Sequence, residues 1–206
     1  MKIIYSLLVF VAVSLSSLQA AEDIFEKARV LDHPRYPVSE KWTASAGFSW
    51  LPLDPYFKPI LLEAAVSYHF SDFYGWEIAR AGFSIWNFDT GLEDSIEIQS
   101  NTTIQSGLYF NDAQFKVGTS GLVHLLYSKS NFLNRSIVYH YWTLGLGPSL
   151  VYCKNKNFLG LEASALVNFF LASQATLQLR GAYMLGFSGT QGINIVSLGA
   201  GGGWVF

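Results

Sequence analysis

The chain has a single cysteine, Cys153, in 206 residues. One cysteine excludes an internal disulfide framework and a cysteine-based zinc site. Charge is scarce too. Asp, Glu, Lys and Arg make up 14% of the sequence, against about 25% in an ordinary soluble domain. The 13 Lys and Arg residues include no adjacent pair, so there is no basic run of the kind that binds nucleic acid. Long apolar runs are also missing. Past Ala21, no stretch of about twenty residues is free of charged and strongly polar groups, which excludes a transmembrane helix there. Yet half of the residues are hydrophobic and 16% are aromatic. Such a chain is too apolar for disorder and too weakly charged for a surface wholly in water.

The first twenty residues differ from the rest. Lys2 is a minimal positive start, Ile3 to Val13 is apolar, and Ser14 to Ala20 is small and polar. This is the pattern of a secretory signal peptide over 1–20, cleaved after Ala20. Residues 21–40 then form a short periplasmic N-terminal segment, and 41–206 the main domain.

From Trp42 onward the sequence alternates with period two. Trp42, Ala44, Ala46, Phe48 and Trp50 share one parity, opposed by Thr43, Ser45, Gly47 and Ser49. Leu159, Leu161, Ala163, Ala165, Val167 and Phe169 repeat the pattern against Gly160, Glu162, Ser164, Leu166 and Asn168. Successive strand side chains point to opposite faces, so each run is a strand with one apolar and one mixed face. Eight strands are expected, over about 42–51, 60–70, 76–87, 116–126, 136–151, 158–170, 175–186 and 193–206. Each is close to the roughly 9–11 residues that a tilted strand needs to cross a bilayer. The connectors 71–75, 127–135 and 171–174 belong to one end of the strands. At the other end lies a long acidic segment, 88–115, with Asp89, Glu93, Asp94 and Glu97. Short periplasmic turns and longer extracellular loops are the outer-membrane pattern.

Alternation does not say which face meets lipid, and a soluble ligand-binding barrel alternates with its apolar face inward. Three features favour the reverse arrangement. Trp42, Trp50, Trp76, Trp204 and Phe206 sit at the ends of apolar faces, where aromatics mark a membrane–water interface. The mixed face is rich in Gly, Ser and Thr, which suits the narrow interior of eight strands. The chain ends on Phe206, on the apolar parity of the last strand. The fold expected is therefore all-β: an eight-stranded antiparallel up-and-down transmembrane β-barrel in the outer membrane of a Gram-negative bacterium. Its implied partners are outer-membrane lipid, the barrel-assembly machinery acting through the C-terminal strand, and other envelope proteins.

Few residues point to chemistry. His33, His69, His124 and His140 lack the HxH and HExxH spacings of metal sites. His69 and His124 share the mixed face, where hydrogen-bonded structural histidines are expected. Tyr139-His140-Tyr141 supplies a histidine for a lipid-acting barrel enzyme, but no Ser and acid can be set beside it by sequence. No catalytic residue, metal ligand or cofactor is assigned. Glu63, Arg80, Glu162 and Arg180 fall on the polar faces of strands two, three, six and seven. Buried charges are costly unless paired, so these four are expected to form a neutralising network that plugs the lumen. A narrow gated channel is the alternative.

Two stretches are more specific than periodicity. Leu51-Pro52-Leu53-Asp54-Pro55-Tyr56-Phe57-Lys58 leads to Tyr68-His69-Phe70-Ser71-Asp72 and Trp76-Glu77, and Phe132-Leu133-Asn134-Arg135-Ser136 enters an apolar strand. They resemble the outer-membrane β-barrel family expanded in gliding and predatory deltaproteobacteria. The resemblance spans about 30–206 and implies a small barrel, in some members tied to gliding-motility assemblies. Taken together, the residues point to a structural or interaction component of the cell envelope rather than to an enzyme.

Overall fold

In the computed structural model of the protein, the described residues are 34–52, 57–89, 113–132, 136–154, 156–189 and 191–206. Residues 1–35 and 36–206 are separate compact units, and the second is described here. The signal segment 1–20, most of 21–40, and the acidic 90–112 stretch lie outside the described residues.

Eight strands follow one another: β1 (Lys41–Trp50), β2 (Phe57–His69), β3 (Tyr74–Asp89), β4 (Ala113–Phe132), β5 (Ser136–Cys153), β6 (Asn157–Phe170), β7 (Ala175–Ser188) and β8 (Gln191–Val205). Each pairs antiparallel with its neighbours, and β1 pairs with β8 to close the ring. The closing register runs from Thr43 opposite Val205 to Trp50 opposite Leu198. It is extended by reciprocal backbone hydrogen bonds of 2.9 Å between Trp42 and Phe206. Closure leaves no sheet edge around the ring, the one condition under which strands can cross lipid. The end holding Lys41 and Val205 is the terminal rim, and the opposite end the distal rim.

The apolar parity faces outward. Phe48, Val66, Phe83, Leu161, Leu179 and Leu198 are exposed, while the opposite parity of the same strands is buried. A water-soluble barrel would hide these side chains, so the exterior is built for hydrocarbon. Aromatic rings gather at both ends of this belt. Trp42, Trp76, Trp204 and Phe206 stand at the terminal rim, and Trp50, Trp86 and Phe88 at the distal rim, from 40% exposed (Trp50) to 64% (Trp86). Trp42 packs on Tyr68 at 5.0 Å, and Trp86 stacks on Phe88 at 5.6 Å.

The structure departs from the sequence-based spans in two ways. β4 runs to Phe132, so most of the expected 127–135 connector is strand. It pairs with β5 down to Phe132 opposite Ser136 and carries this hairpin past the terminal rim. In water a two-stranded ribbon needs no apolar face, which is why the alternation fades there. The second departure is a bulge in β3. The register shifts between Glu77 and Arg80 against β4, leaving Ile78 and Ala79 between two inward-facing residues. Bulges of this kind re-aim side chains. Here Glu77, which strict alternation places with the lipid-facing residues, is buried in the lumen instead.

Candidate functional site

The lumen is filled in layers. At the distal end, Leu51, Leu61, Ala113, Val151, Cys153, Phe158, Met184 and Ile195 form a buried apolar cluster. They come from the distal ends of seven strands or the residues next to them, where inward positions are apolar rather than polar. At the terminal end, Val38, Tyr141, Phe170 and Val205 form a second cluster, with Tyr36, Tyr127 and Tyr139 packed against it. Between these caps the interior is polar.

The central layer holds six ionisable side chains: Glu63, Glu77 and Glu162 against Arg80, Lys116 and Arg180. The Arg80 Nη2 donates to Glu162 Oε1 across the barrel, from β3 to β6. The Lys116 Nζ on β4 lies 2.9 Å from Glu162 Oε2 and 3.4 Å from the Ser197 Oγ on β8. Arg180 on β7 grips Glu77 with both ends of its fork, Nη1 to Oε1 at 3.1 Å and Nη2 to Oε2. Arg80 Nη1 lies 3.7 Å from Glu77 Oε1 and joins the two groups. The Ser120 hydroxyl donates to Glu77 Oε1 at 3.3 Å. The planar guanidinium suits this forked carboxylate grip better than an ammonium does. Three acids face three bases, so the layer is formally neutral, as a low-dielectric interior requires.

Glycines make the room. A Cβ on Gly82 would come within 2.7 Å of Glu63 Cγ, and one on Gly118 within 3.2 Å of Arg80 Nη2. Each long cation has a glycine as its paired neighbour on the adjacent strand, Gly118 beside Arg80, Gly82 beside Lys116 and Gly199 beside Arg180.

Of the four charges expected in the lumen, Arg80 and Glu162 meet directly, and Arg180 joins them through Glu77. Glu63 faces the same layer but takes part in none of the ion pairs, and its Oε1 is buried without a hydrogen-bond partner among the described residues. It borders a cavity of about 30 Å³ with Arg80, Arg180, Gln178 and Ser45. Sequence reasoning missed Glu77 and Lys116. Lys116 shares the parity of Gly118, Ser120 and His124, so its position was readable. Glu77 could be found only by noting a carboxylate on a lipid-facing parity.

Below the charges lies a histidine pair. His69 Nδ1 and His124 Nε2 are 2.9 Å apart. His69 Nε2 is 3.0 Å from the Thr43 hydroxyl, and His124 Nδ1 is 2.7 Å from the Thr143 hydroxyl. Among the described residues no group of three or more potential ligands could hold a metal, so the pair is a hydrogen-bonded bridge. His140 packs on the Phe169 ring at 5.5 Å. Its Nδ1 has no hydrogen-bond partner among the described residues, so no Ser–His–acid chain is assembled there.

The terminal mouth is closed by the residues just before β1. Tyr36 stacks on Phe170 at 4.9 Å and meets Tyr139 edge-on at 5.5 Å, and Val38 is buried beside them. Glu40 takes the left-handed φ of 60°, rare for a residue other than glycine. Its N–H donates to the His69 carbonyl at 2.8 Å, and the Ser39 N–H to Asp72 Oδ1 at 3.2 Å.

No protein-family model matches the chain, and no curated protein matches it significantly. Solved structures do. The N-terminal β-barrel domain of Pseudomonas aeruginosa OprF aligns with a TM-score of 0.51 at 10% identity, covering 82% of this chain and 98% of that one. Ail, the attachment invasion locus protein of Yersinia pestis, aligns with a TM-score of 0.42 at 13% identity, covering 82% and 99%. The outer membrane protein OprG from Pseudomonas aeruginosa gives 0.41 at 14%, covering 82% and 96%. The first likeness shows that this chain shares the fold of an outer-membrane eight-stranded barrel.

Proposed function

We propose that this protein is a small, closed barrel of the outer membrane whose role is structural: it anchors its distal segments at the cell surface and docks other envelope proteins. One observation carries this reading. Among the described residues the lumen is occupied along its length by an apolar cap, a neutral charge layer, a histidine bridge and an aromatic cap, a filling that opposes passage of a solute. The signal-like segment 1–20 and the lipid-suited belt support export to the outer membrane. There the terminal rim faces the periplasm, and the last strand, β8, engages the barrel-assembly machinery. The family resemblance carried by residues 51–58, 68–72, 76–77 and 132–136 supports a place in a motility or surface-contact assembly.

The test is crosslinking in cells, followed by purification of the barrel and identification of the attached proteins. Recovery of defined envelope partners supports the reading, and a barrel that crosslinks only to lipid opposes it. A second reading, a narrow channel, draws on the cavity beside Glu63. Single-channel recording in planar bilayers separates the two, because steady currents from the wild-type protein favour the channel.

A further inference from the structure

The histidine bridge and the terminal cap lie next to each other, and the geometry ties one to the other. We propose that the His69–His124 pair is a proton-operated lock on the terminal mouth of the barrel, holding the Tyr36–Glu40 segment closed when the rings are neutral and loosening it in acid.

Proton counting carries the argument. Four ring nitrogens make three contacts in a row: Thr43 to His69 at 3.0 Å, His69 to His124 at 2.9 Å, and His124 to Thr143 at 2.7 Å. Two neutral imidazoles carry two N–H groups. One hydroxyl proton completes the row, with every contact donated in the same direction. A first added proton is accommodated, since a threonine hydroxyl can turn and accept. A second added proton sets N–H against N–H at the inner contact. That contact must then open.

Opening is transmitted because the four residues belong to β1, β2, β4 and β5, on opposite sides of the mouth. The closing segment is seated on the same residues. Glu40 N–H holds the His69 carbonyl, and the His124 ring meets Tyr141 edge-on at 5.1 Å. Tyr141 in turn packs on Phe170, the ring that carries Tyr36.

The neighbours offer no ready carboxylate to receive the new charge. On β3, Glu77 is gripped by Arg180 and approached by Arg80. In the β2–β3 turn, Asp72 accepts from Ser39. On β5 the neighbour is the Tyr141 phenol, and on β6 it is Asn168, which accepts from Gln178 of β7 at 3.0 Å. On β4 the next ionisable group inward is Lys116, held by Glu162. On β1, opposite His69, stands Lys41, whose Nζ turns away to the Pro37 carbonyl at 2.8 Å. β8 contributes Gly203 and Val205 at this level. The Glu40 side chain is exposed at the rim.

The experiment uses the full mature chain refolded in detergent micelles. Histidine ring resonances are followed by NMR from pH 8 down to about pH 2, and amide hydrogen exchange is measured at Glu40 and Lys41 over the same range, scaled for intrinsic rates. The two rings are expected to titrate as one coupled unit, with protection at Glu40 and Lys41 falling about tenfold or more in step. His124→Gln, which can still hydrogen-bond, and Thr143→Val should each retain the neutral-pH fold. His124→Gln should remove the pH dependence of protection. Independent titration of the rings, or protection that stays constant with pH, overturns the lock. So does an acid-induced loss that persists unchanged in His124→Gln.

Discussion

Whether a lumen charge matters depends on the contacts it makes, and being inside the barrel is not enough. Arg80 and Glu63 both face the central layer. Arg80 bonds Glu162 and approaches Glu77, with its side chain 4% exposed, whereas Glu63 is in no ion pair among the described residues. Removing one partner of a buried pair strands the other, at a cost of about 3–5 kcal/mol. Arg80→Ala should therefore lower unfolding stability in lipid vesicles by about that amount, read from urea midpoints. Glu63→Gln should change it by about 1 kcal/mol or less. Equal effects for the two would mean that the layer acts through net charge, not through contacts. Parity in the sequence was enough to face Arg80, Glu162 and Arg180 inward, and it also faced Lys116 inward. It could not give the pairing, because which side chains meet across a lumen depends on barrel stagger, which no local pattern encodes.

At the scale of the strand, one inserted residue decides whether β3 is compatible with lipid. Eight strands are legible because the lipid belt enforces alternation, and runs such as Leu159 to Val167 keep it without a break. The β3 bulge is invisible to that rule. Trp76-Glu77-Ile78-Ala79-Arg80 has the wrong parity for both charges to share a face, and only the extra residue turns them both inward. Deleting Ile78 alone sets Glu77 and Arg80 two residues apart, so strict alternation keeps both inward and the barrel should still fold. Deleting Ile78 and Ala79 together makes the two charges neighbours and should bring Glu77 out among the lipid-facing residues. The expected result for the double deletion is loss of folded, heat-modifiable barrel on gel electrophoresis, partly recovered when Glu77 is also replaced by Leu. A well-folded double deletion that keeps Glu77 would show that β3 can shift its register elsewhere. The outer face makes a complementary prediction. Leu179 is 45% exposed on the lipid-facing parity of β7, opposite Ala200 and Val167. Leu179→Arg should cost about 2–4 kcal/mol if that level is near the bilayer midplane, measured by the same urea unfolding. The 127–135 stretch was misjudged for the opposite reason. Beyond the rim, lipid no longer selects the outward face, so the strand continues without a signature.

For the whole molecule, the layers act in series, and that changes what any single opening can do. A neutral charge layer alone would be a gate, since breaking it would join water on both sides. Here the distal cluster of Leu51, Leu61, Phe158 and Met184 is fully or almost fully buried, and the terminal mouth is closed by Tyr36, Val38 and Phe170. An ion reaching the middle would have to cross this apolar cluster, whose side chains cannot replace its hydration, at a cost of many kcal/mol. Emptying the middle should therefore leave the barrel closed. Arg80→Ala combined with Arg180→Ala should lower stability yet show the same near-zero current as wild type in planar bilayers. Conductance should rise only when an end cap is thinned as well, for example by adding Phe158→Ala and Met184→Ala, and it should rise further when Tyr36 is also replaced by Ala. If the arginine double variant alone conducts, then the caps do not seal, the cavity beside Glu63 is part of a path, and the molecule is a gated channel rather than a plugged anchor.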